Sequence, residues 1–108
     1  MIKEITAPEL AAWLADDSRA QPYLLDVRED WEVALCRIDG SAQIPMNLIP
    51  LRHNELPDDV PLVTICHHGV RSFQVGLFLQ NAGFEQVLSL RGGVAAWADQ
   101  VDPAMARY

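Results

Sequence analysis

The chain has 108 residues, half of them apolar, and carries 15 Asp and Glu against 8 Lys and Arg for a formal charge of −7. That length suits one compact domain, residues 1–108, which can bury a core without disulfide staples. No apolar run approaches the roughly 18–20 residues that cross a bilayer, and "MIKEITAPEL" lacks the apolar centre of a secretion signal, so the expectation is a soluble, cytoplasmic protein with no membrane partner.

Charge also argues against nucleic acid, whose binding is driven by clustered Lys and Arg, because Lys3 is the one lysine. The acidic surplus lies in residues 1–60, with 12 acidic against 5 basic side chains; residues 61–108 hold three of each. Two cysteines, Cys36 and Cys66, allow at most one bridge, and neither stands in a C-x-x-C pair, which is far from a disulfide framework.

The elements follow in chain order. After a short "IKEI", Thr6 and Glu9 have the spacing of a capping box, so a helix is predicted from about Ala7, with Leu10, Trp13 and Leu14 on its core face. Pro8 in the first turn costs no internal hydrogen bond. "PYLLDV" is a short apolar run suited to a strand covered on both faces of a parallel sheet, and Asp26 and Arg28 fall at its carboxyl end. "EDWEVAL" reads as a short helix with Trp31 and Leu35 four apart. Asp39-Gly40 marks a turn before a brief strand near Ala42–Ile44.

"MNLIPLRHNEL" predicts a helical turn or two, "PDDVP" a loop, and "LVTIC" a strand ending on Cys66. From Val70 to about Ala82 the apolar residues cover more than one stripe, which predicts a helix packed on two sides and ended by Gly83. "EQVLSL" is the last strand, "RGG" a turn, and "VAAWADQV" a closing helix; the tail "VDPAMARY" carries no signal. Trp13, Trp31 and Trp97 are expected in the core. The alternation of strands and helices predicts an α/β fold with a mainly parallel sheet and a ligand site beyond the carboxyl ends of its strands, where residues 66–71 lie.

A cysteine closing a buried strand just before a helix sits where loop N–H groups and the positive end of the helix dipole converge. That field favours thiolate, the nucleophilic form, over thiol. Gly69 lets the loop curl so that its amides point inward, and Arg71 adds a fixed positive charge. Cysteine is also among the residues most often buried as filler, but "HHGVR" would make a poor core.

"CHHGVRS" resembles the active-site loop of the rhodanese family of sulfurtransferases: Cys, four residues, then Arg opening a helix. "LLDVREDWEVALCRIDGSAQIPM" is similar to that family's "LIDVREPEEFxxGHIPGAxNIP", and "AGFEQVLSLRGGVAAW" to its "AGFxxVxxLxGGxxAW". The three motifs stand in order and span most of the chain. The resemblance implies a rhodanese-like three-layer fold, a five-stranded mainly parallel sheet flanked by helices. It also implies a sulfane-sulfur transferase without a cofactor, acting through a persulfide on Cys66 that is held by His67, His68, Gly69, Val70, Arg71 and Ser72.

Thiosulfate, or a protein persulfide, would be the donor and a thiophile the acceptor, with cyanide serving in an assay. Asp26 and Arg28 would brace the loop by hydrogen bonds and charge pairing. Relatives that hydrolyse phosphate esters have one more residue between Cys and Arg, which sets phosphatase or arsenate chemistry behind sulfur transfer. A non-catalytic binding or sulfur-carrier module stays open as the alternative. At Arg71 an anion-orienting role stands beside a solvated ion pair, and His67 and His68, as neighbours in a loop, are expected to point different ways.

No metal-ligand spacing is present. The family's "GHIPGA" is "CRIDGS" here, so Cys36 occupies a departing position; it reads as a bystander, since a resolving role would need Cα atoms within about 7 Å of each other.

Overall fold

The structure, a computed structural model, describes residues 2–108. In chain order the elements are β1 (Lys3–Ile5), α1 (Ala7–Leu14), β2 (Tyr23–Asp26), α2 (Asp30–Leu35), β3 (Ala42–Gln43), α3 (Ile49–Arg52), β4 (Leu62–Ile65), α4 (Val70–Asn81), β5 (Val87–Leu90) and α5 (Gly93–Gln100). Single 3-10 turns at Met46–Leu48 and His53–Glu55 flank α3. The capping box is formed: the Glu9 amide donates to Thr6 Oγ1 at 3.2 Å and the Thr6 amide to Glu9 Oε1 at 2.9 Å, so α1 starts where its first free amides find partners.

The five strands lie in the order β1-β5-β4-β2-β3, and every pairing is parallel. Both faces are covered, as the continuous apolar runs require. Successive strand residues point to opposite faces. Leu24, Val63, Ile65 and Leu90 therefore meet Leu10, Trp13, Val94 and Trp97 of α1 and α5. Leu25, Val27, Leu62 and Val87 meet Ile49, Val75 and Leu79 of α3 and α4. The result is the three-layer α/β architecture of the rhodanese-like fold.

The connection from β2 runs outward to β3 and that from β4 runs the other way to β5, so β2 and β4 flank the point where the strand order reverses. Asp26 pairs in register with Ile65. The chain segments leaving these two strands, which begin at Val27 and Cys66, thus emerge side by side at the carboxyl edge, the usual place for a ligand site in such a sheet.

Three local expectations need correction. Strand β4 ends at Ile65, and Cys66 is the first residue beyond it, although it continues the alternation of Leu62 and Thr64 toward α4. Helix α4 buries one stripe, Ser72, Val75, Gly76 and Leu79, because it covers a single face of the sheet; Val70 and Phe78 are exposed. Trp31 is 62% and Leu35 50% exposed instead of core. In the six-residue α2 the buried position belongs to Glu32, which turns the Trp31 side of the helix outward.

Candidate active site

Two helix starts shape the loop after β4. The first turn of α5 donates its Val94 amide to the Cys66 carbonyl at 2.9 Å and its Ala95 amide to the His67 carbonyl at 3.1 Å. Backbone can come this close only because residue 93 is glycine: with φ at +59°, an added Cβ would lie 2.3 Å from the Cys66 oxygen and 2.4 Å from the His67 oxygen. Gly69, with φ at +102°, turns the chain into α4, and a Cβ there would sit 3.1 Å from the Gly92 nitrogen.

That turn aims the Gly69 amide at the Cys66 Sγ, to which it donates at 3.0 Å. Among the described residues it is the one backbone amide bonded to the sulfur. Ser72 Oγ lies 3.4 Å from Sγ and 2.8 Å from Ser89 Oγ. Ser89 is the register partner of Thr64, whose hydroxyl donates to the Ser72 carbonyl at 2.8 Å, so β4, β5 and α4 share a buried polar strip. A hydroxyl can reverse its bond: Ser72 accepts from a thiol and donates to a thiolate. Cys66 itself is 1% exposed, so the loop holds its sulfur closed in.

Arg71 is committed to a partner. Its Nη1 donates to Glu32 Oε1 at 2.7 Å and its Nη2 to Glu32 Oε2 at 2.8 Å, a two-pronged pair with a buried carboxylate rather than a solvated ion pair. Glu32 also accepts the Glu29 amide at 3.0 Å and the Tyr108 hydroxyl at 2.7 Å. The Arg71 hydrogen bonds, opposed by burial and aided by the Glu29 amide and Tyr108, hold the Glu32 carboxyl down to about 2. Glu32 in turn raises Arg71 above its ordinary value. Both partners are charged at neutral pH.

Arg28, fully buried, binds Asp26 through Nε and Nη2, the closest approach being 2.7 Å. Its Nη2 also reaches the Cys36 carbonyl at 2.7 Å, and its Nη1 the Tyr108 hydroxyl oxygen at 3.0 Å. Burial opposes this charge, but the bonds from Asp26 and Tyr108 outweigh it and raise Arg28. None of the hydrogen bonds of Arg28 ends on residues 66–72 among the described residues; its link to the loop runs through Tyr108 and Glu32.

Tyr108 closes this network. Its ring stacks on His67 at 3.8 Å between centroids with 9° between planes, and His67 stacks in turn on His68 at 3.8 Å and 26°. The adjacent histidines thus lie together, against the expectation that they diverge, because Tyr108 offers His67 a second flat face. Burial, with the neighbouring His68, holds His67 below its ordinary value. Burial also pushes the Tyr108 hydroxyl up to about 12, against the Arg28 hydrogen bond, so it stays a donor to Glu32.

Cys36 and Cys66 are both free thiols. Cys36, half-buried, lines a cavity of about 180 Å³ with His67, His68, Val94, Ala98 and Tyr108. Among the described residues no three His, Cys, Asp or Glu side chains cluster so as to hold a metal ion. The structure brings Cys66, His67, His68, Gly69, Arg71 and Ser72 into one loop and leaves Val70 67% exposed at its rim.

Sequence reasoning passed over Glu32, Ser89, Gly93 and Tyr108. A signal existed for Glu32, since the stretch "LIDVREPEEF" carries glutamate at that place, and for Gly93, the second glycine of "GG" in the closing motif. For Tyr108 there was none.

Comparison with known proteins agrees with the fold and loop just described. The Rhodanese-like domain model matches residues 6–100, and the chain belongs to that family. A protein named "Sulfurtransferase" from Allochromatium vinosum is 40% identical over 106 residues, covering 98% of this chain and 97% of that one. The crystal structure of a rhodanese-like domain protein from Staphylococcus aureus superimposes with a TM-score of 0.83 at 32% identity, over 93% of this chain and 95% of that one. That of SSP1007 from Staphylococcus saprophyticus gives 0.83 at 33% identity, over 93% and 97%. Relatives at this level of identity support sulfur transfer as the general chemistry, and no helix among the described residues is long and apolar enough to cross a membrane.

Proposed function

We propose that this protein moves sulfane sulfur through a persulfide on Cys66, with thiosulfate or a protein persulfide as donor and a thiophile as acceptor. The Cys66 thiolate attacks the outer sulfur of thiosulfate, the S–S bond of the donor breaks, and sulfite leaves with the bonding pair. Cyanide, the acceptor in an assay, then attacks the terminal sulfur of the persulfide; the new S–S bond breaks, thiocyanate departs, and the thiolate is restored. The outer sulfur passes from one nucleophile to the next, and the cycle needs no added oxidant or reductant.

The observation that carries this reading is the Gly69 amide pointing at Cys66 Sγ from 3.0 Å, inside a loop four residues long between Cys66 and Arg71. A preorganised N–H donor favours negative charge on sulfur in a site shielded from water. The Ser72 hydroxyl supplies a second donor once the thiol has lost its proton. His67, His68, Val70 and Arg71 form the rest of the cradle around the outer sulfur, and Asp26 and Arg28 support it indirectly, through Tyr108 and Glu32. The short loop fits a single sulfur better than a tetrahedral oxyanion, which argues against phosphatase chemistry.

A second reading draws on the burial of Cys66, which is 1% exposed: a module that carries sulfur only when a partner protein presents it. The test is thiosulfate:cyanide transfer by wild type and Cys66→Ser, with intact mass after donor exposure. Wild type should form thiocyanate and gain the mass of one sulfur, and the variant should lose turnover by about a thousandfold or more. No thiocyanate and no added sulfur would defeat the enzymatic reading. Added sulfur from a protein persulfide alone would favour the carrier.

A further inference from the structure

Tyr108 touches the beginning of the cysteine loop directly and its end through Glu32. At the beginning of the loop its ring covers His67, parallel within 9° and 3.8 Å away. At the end of the loop its hydroxyl donates to Glu32 Oε2 at 2.7 Å, on the carboxylate whose two oxygens hold both Nη atoms of Arg71. The same hydroxyl accepts from Arg28 Nη1 at 3.0 Å, which ties it to the buried Asp26 pair, and the ring meets Trp31 edge-on at 5.7 Å.

The segment leading to Tyr108 is anchored separately. Arg107 bonds the Ala98 carbonyl at 3.1 Å and pairs with the Asp99 carboxylate on α5, and the Met105 amide donates to Asp102. Residues 102–108 therefore run from the end of α5 back to His67 at the start of the loop and to Glu32, as a strap. In the loop so tied down Cys66 is 1% exposed, its sulfur held by the Gly69 amide and Ser72, although a group that exchanges sulfur with another molecule has to meet it.

We propose that Tyr108 is a positioning residue that clamps the cysteine loop at both ends, so that Cys66 meets a reaction partner only when the 102–108 strap lets go. The bonds it makes suit a latch. Stacking and two hydrogen bonds at a 36% exposed side chain are strong enough to order the loop and weak enough to open locally without unfolding the sheet. Release of the ring frees His67 to swing and deprives Glu32 of one of its four hydrogen bonds, while Glu32 and Arg71 stay paired.

The inference rests on Cys66 as the sulfur-bearing thiol, but it is tested by exposure of that thiol, which involves no sulfur transfer. A failed transfer assay and a failed clamp are thus separate results. Wild type, Tyr108→Phe and Tyr108→Ala would be treated with iodoacetamide, with the rate at Cys66 read by peptide mass mapping and amide hydrogen exchange of β4 followed in the same samples. Tyr108→Ala should raise the Cys66 rate by about tenfold or more, with β4 still protected, as expected of local opening.

Tyr108→Phe keeps the stack and removes the hydroxyl, and should fall between the two. A Cys66 rate in Tyr108→Ala within about twofold of wild type would overturn the clamp. So would a rise matched by lost protection in β4, which reports general unfolding. A Tyr108→Phe rate equal to wild type would overturn the two-ended form of the proposal.

Discussion

On the α1–α5 face of the sheet, Leu10, Trp13, Val63, Ile65, Leu90, Val94 and Trp97 meet as hydrocarbon with little more than shape to satisfy. On the α4 face the apolar layer of Leu25, Val27, Val75 and Leu79 gives way, toward the carboxyl edge, to Thr64, Cys66, Ser72 and Ser89. Glu32, Arg28 and Asp26 form a charged network along that same edge, Asp26 standing in register with Ile65 on the opposite face. Every buried side-chain polar atom among the described residues finds a partner. Apolar packing tolerates a change of shape at a cost set by the volume lost, whereas a directional network fails when one donor or acceptor is removed. The face that stores the chemistry is thus the one whose geometry is least forgiving.

The sharpest way to strain that contrast is at the backbone contact under the loop. Gly93→Ala would thrust a Cβ toward the Cys66 and His67 carbonyls and demand a left-handed φ of an L-residue. Displacing the loop by about 1 Å should cost sulfur transfer about a hundredfold. Steady-state thiocyanate formation measures it, and an activity near wild type would show that α5 does not set the loop.

A pair of substitutions should separate the two faces. Leu10→Ala, on the hydrocarbon side, should lower stability by about 2–5 kcal/mol in urea denaturation while transfer by the folded fraction stays within about twofold. Glu32→Gln should cost less stability, about 1–3 kcal/mol, yet reduce transfer by about tenfold because Arg71 loses the charge that orients it. Reversal of that ranking would dissolve the distinction.

The smallest effect expected is that of pH. The folded Glu32 carboxyl lies near 2 against an ordinary 4.5, so its contribution is complete above 4.5 and is lost as pH falls from there toward about 2. His67 is lowered from 6.5: the fold prefers its neutral form, so its contribution is full above 6.5 and fades as pH drops below that value. Helix α1 packs on α5 and the sheet through Leu10 and Trp13, which do not titrate. The Glu9 carboxyl of its cap, held below its ordinary 4.5 by bonds with Thr6, loses its contribution only as pH falls below 4.5. Acidification from pH 7 to 5 should therefore cost residues 66–71 a few-fold in hydrogen-exchange protection, corrected for the intrinsic rate, and leave α1 unchanged. An equal loss in both regions would mean that the loop has no titration of its own.

The elements were legible because their causes are local. Thr6 and Glu9 sit three apart and cap each other, the central strands β2, β4 and β5 are mostly apolar on both faces because both faces are covered, and Gly83 follows the last turn of α4. Cys66, Gly69, Arg71 and Ser72 fall within seven consecutive residues, so the loop could be read with its charge and its turn together. Trp31 defeated the same reasoning, since a four-residue spacing shows that two apolar side chains share a helix face but not which face the helix buries.

What the linear chain determined by itself was thus the fold class, the parallel sheet and the loop that follows β4 and carries Cys66, each written in neighbours a few residues apart. Tertiary structure alone decided that Arg71 is held by Glu32, 39 residues away, and that Tyr108 reaches back 76 residues to Glu32 and 80 to Arg28. Such partners meet only after the sheet has aligned the ends of β2 and β4 and α5 has carried the tail across them, and contacts made by that alignment leave no periodicity in the sequence for a reader to find.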